Sequence, residues 1–425
     1  MGGREGALFA PKVSPLDGIA RVSATSMMMV PSVAVSEERR RITDVRLTLE
    51  IAGQSVVVSA GPVVFRTADP LLGVQERPLG GVPAVTLGFD RGLEWFPAGK
   101  PADRFLRLTI KSHTDQPRSF ALRSVVPPGM SLDSLPANVT LRPREQREII
   151  VRVRGTLSEG RHEFGVVGTG QLTGTYAEGF STISFPHIQP IHRYRSSGVY
   201  FAAVDITVPT RMNVAYIQGV GDDNAVFLRQ LGVPITIIQP ADVAQWDLSR
   251  FTSVVIGTRA FETNSGLDAY ASRFAEYAQN GGTLVLQYGQ TFSRLPQLFP
   301  FPLQWSQPAP RVTVEDSPVT VAVPRSRLLT TPNVVRESDW QGWTQERSLY
   351  MPSTIDQRYD APIAINDPGE APNTGGILSA PFGKGTFVFT SLALFRQLPA
   401  AVPGSARLLI NMIAAQPGPL GRVVP

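Results

Sequence analysis

Residues 252–267 read TSVVIGTRAFETNSGL. An apolar run, Val254-Val255-Ile256, stops at Gly257, and a helical pattern resumes at Leu267. A buried strand that ends on a glycine turn and feeds a helix is the repeating unit of an α/β sheet. In many enzymes of that class a nucleophile sits on this sharp turn. Here the turn offers Thr258, Arg259 and Ala260. Working outward, the same alternation recurs. MNVAYIQG (212–219) reads as a strand, and DDNAVFLRQLGV (222–233) as a short helix with Asp222 or Asp223 as N-cap and Gly232 just past its end. PITIIQ (234–239) is a further strand. In LDAYASRFAEYAQNGG (267–282), Leu267, Tyr270, Ala271, Phe274, Tyr277 and Ala278 fall at helical spacing before Asn280-Gly281-Gly282 stops the run. TLVLQYG (283–289) is a fourth strand, GILSAPFGKGTFVFTSLALF (376–395) two strands around a glycine turn, and SARLLINMIAAQ (405–416) a closing helix. Strands alternating with helices imply a mainly parallel sheet covered on both faces.

The preceding chain has a different period. DVRLTLEIAG (44–53), RFLRLTIKS (104–112), RSFALRSVV (118–126) and REIIVRVRG (147–155) alternate apolar with polar residues, and turn signals such as HTDQP (113–117) separate them. That pattern predicts antiparallel sandwich modules. The expected organisation is an irregular segment 1–41, a β-rich segment 42–103, an Ig-like sandwich 104–185, a proline-bearing linker 186–210 (Pro186, Pro190, Pro209) and an α/β domain 211–425 whose stretch 300–375 is loop-rich. The fold class is thus multidomain, all-β followed by α/β.

Composition excludes several functions. With 42% hydrophobic and 18% charged residues the chain has a soluble globular composition, and no apolar run approaches the ~20 residues a membrane helix needs. The net charge of +5 is spread as scattered Arg, with Arg39-Arg40-Arg41 the longest run, so no basic groove for nucleic acid is indicated. The absence of Cys removes thiolate nucleophiles and thiolate metal sites. SATSMMMVPSVAVS (23–36) starts too far in and is broken by Pro31, so it is no convincing signal peptide. The chain reads as if an upstream part were missing.

Each motif has a plainer reading. GVGDDNA (219–225) lacks the third glycine of a dinucleotide fingerprint, and its two acids would repel a pyrophosphate, so capping is the better reading. FGKGT (382–386) lacks the spacing and the following Ser/Thr of a P-loop and reads as a hairpin turn. His187 and His192 lie five apart in an extended segment and would face opposite sides, which argues against a metal pair. All four His (113, 162, 187, 192) precede the α/β region, so that region cannot assemble a nucleophile–His–acid relay. We therefore expect no catalytic residue, metal ligand or cofactor. The candidates left at the strand-end mouth are Gln218, Asp222, Arg259 and Glu262. Arg259 can read a carboxylate or phosphate, or pair with Glu262 or the loop. Trp340, Trp343 and Tyr350 in SDWQGWTQERSLY (338–350) are candidates for a sugar-stacking platform, or for a loop that buries its aromatics.

Several stretches together, among them YIQGVGDDNAVFLRQLGVPITII (216–238), VVIGTRAFETN (254–264), NGGTLVLQY (280–288) and PNVVRESDWQGWTQERSLY (332–350), resemble the C-terminal region of large bacterial PIG-L family deacetylases. GPVVFRTADPLLGVQERPLGGVPAV (61–85) resembles the β-rich segment of the same proteins. The resemblance runs from about residue 42 to 415. It implies an Ig-like sandwich and a class I glutamine amidotransferase-like domain, placed outside the cytoplasm. It also implies a catalytic zinc domain, upstream, that removes acetyl from N-acetylated sugars. The His-Pro-Asp-Asp signature of that domain is missing here, and the amidotransferase nucleophile position carries Gly257-Thr258-Arg259 with no His downstream. The expected role is that of a pseudoenzyme: an accessory region for carbohydrate or surface binding, or for docking to a deacetylase domain. The rivals are zinc-dependent deacetylation through a domain absent from this chain and a stand-alone glycan-binding module.

Overall fold

The computed structural model describes residues 44–62, 64–69, 73–78, 83–170, 174–183, 185 and 191–416. The segment 1–41, His187 and most of the prolines of the expected linker lie outside them. The chain divides into two compact units, residues 1–94 with 99–202, and residues 95–98 with 203–425.

In the first unit, β1 (Asp44–Ile51) pairs with β2 (Gln54–Pro62) and β3 (Val64–Asp69) with β4 (Gly73–Pro78) as antiparallel hairpins. Then come β5 (Val85–Phe89), β6 (Leu93–Pro97, its residues 95–97 counted with the second unit), β7 (Ala102–Ser112), β8 (Arg118–Val125), β9 (Met130–Asp133), β10 (Asn138–Leu141), β11 (Gln146–Gly155), β12 (Gly160–Gly170), β13 (Gly174–Tyr176), β14 (Glu178–Ile183), β15 (Ile191–Ser196) and β16 (Gly198–Val204, its residues 203–204 likewise). They build one sheet in the order β5-β7-β11-β9 and another in the order β10-β8-β12-β16-β6, with β13 on β12. Strand β7 shows how alternation makes the layer: Leu106, Leu108 and Ile110 are fully buried while Phe105, Arg107 and Lys111 face out. The inner faces meet through aromatics. Phe89 of the first sheet lies 5.4 Å from Phe164 of the second, and Phe164 stacks on Phe201 at 5.2 Å. This is a β-sandwich.

The expected linker 186–210 is corrected here: it carries β15 and β16, and Val199, Phe201, Ala202, Ala203 and Val204 are buried. The prolines flank those strands instead of interrupting them, which is where a sheet tolerates proline. The sandwich likewise takes in β5 and β6, upstream of residue 104.

The second unit holds β17 (Val214–Ile217), helix α1 (Asn224–Gln230), β18 (Ile235–Ile238), β19 (Ser253–Ile256), α2 (Ala260–Thr263), α3 (Ala271–Gln279) and β20 (Thr283–Gln287). After it come the short pairs β21 (Leu303–Gln304) with β23 (Thr354–Ile355) and β22 (Val319–Val321) with β24 (Ile363–Ile365), and α4 (Arg327–Thr330). The unit closes with β25 (Ile377–Phe382), β26 (Gly385–Thr390), α5 (Leu394–Gln397) and α6 (Pro403–Ile413). The central sheet runs β18-β17-β19-β20-β26-β25, parallel throughout except for β25 on the edge. One face buries Ala215, Ile217, Val254, Ile256, Leu284, Leu286, Phe387 and Phe389 against Phe274 and Ala278 of α3. Each fully buried Leu, Ile or Phe contributes roughly 1.5–3 kcal/mol, so this layer holds the unit together. On the other face α6 is tied to the strands, Ser253 Oγ donating to Ile413 O at 2.7 Å. Helix α3 stops where Gly282 is needed, because a Cβ there would sit 2.1 Å from the Tyr277 ring. From β17 the chain moves outward to β18 and then returns to β19 on the opposite side. The order therefore reverses between β17 and β19, and the strand ends at such a reversal are where open α/β sheets bind ligands.

Candidate functional site

The two turns at the reversal point interlock. Gly257 N–H donates to Ile217 O at 2.8 Å, and Val220 N–H donates to Thr258 O at 2.9 Å. A Cβ at Gly219 would lie 1.9 Å from Thr258 O, and one at Gly257 would lie 2.3 Å from Asp222 Oδ2. Both positions need glycine because the turns touch backbone to backbone. The two turns at the reversal point are thus held together by direct backbone contact.

Beneath it lies a buried polar network. Tyr216 Oη donates to Asp222 Oδ2 at 2.7 Å and accepts from Gln287 Nε2 at 2.6 Å, and Asn224 Nδ2 donates to Gln287 Oε1 at 3.0 Å. Asp222 also accepts from Thr258 N–H at 3.1 Å and Asn224 N–H at 3.2 Å. None of these four side chains is more than 2% exposed. Burial pushes the Asp222 carboxyl above the usual carboxylate range, while the hydrogen bonds from Tyr216, Thr258 and Asn224 pull it back. Burial and then the Asp222 charge hold the Tyr216 phenol protonated. Asp222, a candidate both for the helix cap and for the strand-end mouth, turns inward as a lock. Asp223 stands at the N-cap without a side-chain cap bond, and the neighbouring Asp222 carboxylate takes the first helical N–H instead. Gln218, half-buried, spends its amide on Asp222 O at 3.2 Å.

The second turn is built differently. Arg259 has φ 53° and ψ 29°, a left-handed conformation that costs a non-glycine residue ~1 kcal/mol or more. Its N–H donates to Tyr288 O at 2.8 Å, and its Nε is shut off from solvent with no hydrogen-bond partner among the described residues. Arg259 and Glu262 do not pair. Glu262 Oε1 accepts from the N–H groups of Gln290 and, at 2.9 Å, Thr291, while Oε2 is buried without a partner. Tyr288 is the centre of the group. Its ring stacks on Phe395 at 6.2 Å and tilts on Tyr350 at 5.7 Å, and its hydroxyl takes a hydrogen bond from Gln290 Nε2 at 2.7 Å. Burial raises the Tyr288 phenol; the Gln290 hydrogen bond and the Arg259 charge offset part of that, and Tyr350 and Glu262 add to it.

Of the seven sequence candidates, the structure therefore gathers Arg259, Glu262 and Tyr350 around Tyr288. Trp340 and Trp343 go elsewhere. They stack on each other at 5.7 Å and are 7% and 4% exposed. Trp343 Nε1 donates to Asp339 O at 3.0 Å, and Asp339 in turn pairs with Arg407 of α6. Of the two readings of these rings, a sugar-stacking platform or a loop that buries its aromatics, the structure shows the second for Trp340 and Trp343. Tyr288, Gln290 and Phe395 were missed in sequence because Tyr288 follows its strand as an ordinary core residue would, and only the parallel pairing of β20 with β19 brings it beside Arg259. Among the described residues no group of three or more His, Asp or Glu side chains is placed to hold a metal ion.

No family model matches the chain, and neither does any curated protein. Some solved structures are similar to parts of it. A cold-adapted β-galactosidase from Rahnella sp. R3 is 14% identical over 47% of this chain and 31% of its own, with a TM-score of 0.28. A FixG-related protein from Vibrio parahaemolyticus is 11% identical over 27% of this chain and 98% of its own, with a TM-score of 0.18. An Escherichia coli α2-macroglobulin activated by porcine elastase is 17% identical over 40% of this chain and 16% of its own, with a TM-score of 0.21.

Proposed function

We propose that the chain is a non-catalytic ligand-binding region, a β-sandwich followed by an amidotransferase-like α/β unit, and that it serves as accessory to a PIG-L-type deacetylase of N-acetylated sugars. The observation that carries this reading is Arg259. The strand-to-helix turn after β19 keeps the left-handed geometry of a nucleophile elbow, but the residue held there is a guanidinium. No His or Cys follows residue 192, so nothing in the α/β unit can activate a nucleophile through a His or Cys relay. An arginine with an unpartnered nitrogen, beside the rings of Tyr288, Tyr350 and Phe395, suits holding a polar ligand against an apolar wall.

Isothermal titration with N-acetylated oligosaccharides tests it. The expected result is saturable binding with no acetate released, weakened roughly tenfold or more by Arg259→Gly. Acetate release by the purified chain carrying stoichiometric zinc would overturn the reading, as would binding that ignores Arg259→Gly.

A further inference from the structure

Among the described residues five charged side chains are buried, and four are answered. Glu94 has Arg91 at 2.9 Å and Arg104 at 3.1 Å; Asp339 and Arg407 have each other; Asp222 has Tyr216 and two backbone N–H groups. Arg347 is the fifth. It is 5% exposed, and its guanidinium makes no hydrogen bond and no ion pair. Nε and Nη1 are cut off from solvent, which leaves Nη2 as the nitrogen that reaches the surface. Its close companion is the face of Trp343, 5.5 Å from Cζ, with Asp316 acting only through space. A guanidinium is the side chain least able to shed its charge, so an unanswered one in the interior is expensive.

The chain gives this side chain little room to escape. Arg347 N–H donates to Val312 O at 3.0 Å, and Arg347 O accepts from Ala393 N–H at 2.9 Å, so its backbone is pinned from both sides. The segments 344–347 and 393–397 are tied together further. Gln397 grips the Thr344 backbone (Oε1 to N at 2.9 Å, Nε2 to O at 3.0 Å), and Arg396 pairs with Glu346 at 2.8 Å. On these facing segments the unanswered buried atoms concentrate: Thr344 Oγ1, Arg347 Nε and Nη1, and Arg396 Nε. All four can donate, and what they lack is an acceptor.

We propose that Arg347 forms the floor of an oxyanion-binding site, in which a carboxylate or phosphate group reaches the guanidinium while Trp343 lies against its face. The site does not depend on the function proposed above, since it uses neither Arg259 nor its turn.

The test is thermal unfolding and tryptophan fluorescence of the full chain, titrated with sodium acetate and with sodium phosphate against sodium chloride at equal ionic strength. At least one oxyanion is expected to raise the melting temperature and to change the emission, beyond the chloride response. Acetate alone acting identifies a carboxylate site, and phosphate alone a phosphate site. Arg347→Met is expected to abolish the response and, in oxyanion-free buffer, to melt no lower than the parent, because it removes a buried unpaired charge. Arg347→Lys, which keeps the charge without the planar fork, is expected to weaken binding roughly tenfold. Responses equal to chloride for both anions, or an unaltered oxyanion response in Arg347→Met or Arg347→Lys, would overturn the proposal.

Discussion

The two units treat polar groups in opposite ways. In the sandwich, charge is kept outside: Arg152 pairs with Asp103 and Arg154 with Asp133 on the exposed faces of β7, β9 and β11, and Arg152 also covers the ring of Phe105 at 5.4 Å. Glu94, buried on Arg91 and Arg104, is the exception. In the α/β unit the sheet is covered on both faces, and polar groups are taken inside and matched partner by partner, as in Tyr216–Asp222–Asn224–Gln287 and Arg407–Asp339. A period of two disposes of polar residues automatically, by pointing them outward. A doubly covered sheet has no outside face, so every polar side chain near it needs a built partner. Where that partner is missing, at Arg259 and Arg347, a ligand is the natural candidate.

The contrast can be broken most sharply at α6. Asp339→Ala takes the buried carboxylate away from Arg407, which keeps a neutral acceptor in Asp205 O, and should cost about 3–5 kcal/mol in urea unfolding. Adding Arg407→Met should recover much of that; an unrecovered double variant would mean the pair is not the source of the loss. A smaller effect is expected from Tyr216→Phe. It deprives Asp222 and Gln287 of their shared hydroxyl, at about 1–3 kcal/mol, and a change within error would show that the network is dispensable.

Arg259→Gly should leave stability nearly unchanged, because relief of the left-handed strain offsets the greater chain entropy of glycine. Ligand binding should nevertheless fall. A large loss of stability would make Arg259 a structural residue.

In the sandwich, burial, Lys111 and Arg144 lower His113 from 6.5 to about 4. The folded state then binds fewer protons than the unfolded one between those values, so this contribution to stability rises with pH from about 4 to 6.5. Urea midpoints across that range should flatten in His113→Gln. Smallest of all, Asp103→Ala should leave the unfolding midpoint unmoved, as exposed ion pairs contribute little. A clear drop there would remove the distinction between the units.

Much of this was legible in advance. The strands of the sandwich followed from alternation, and β17, α1, β18, β19, α3 and β20 followed from apolar runs and helical spacing punctuated by glycine. The misreadings have specific causes. Pro186, Pro190 and Pro209 suggested a linker, although the strands lie between them. Trp340 and Trp343 left a platform and a buried loop both open, because burial of a loop cannot be read from spacing. Asp222 was placed at a helix start, yet the direction of its side chain was set by Tyr216 and by Thr258 on the next turn.

By itself the sequence determined the two fold classes, the place of the turn at Gly257-Thr258-Arg259 and the absence of any His or Cys beside it. Those are properties of local period and of composition. Only the tertiary structure decided that the turns after β17 and β19 interlock, that Tyr288 and not a tryptophan stands beside Arg259, and that Arg347 is buried unanswered. Each of these depends on residues tens of positions apart being brought together by strand pairing and loop packing, and local periodicity carries no record of that.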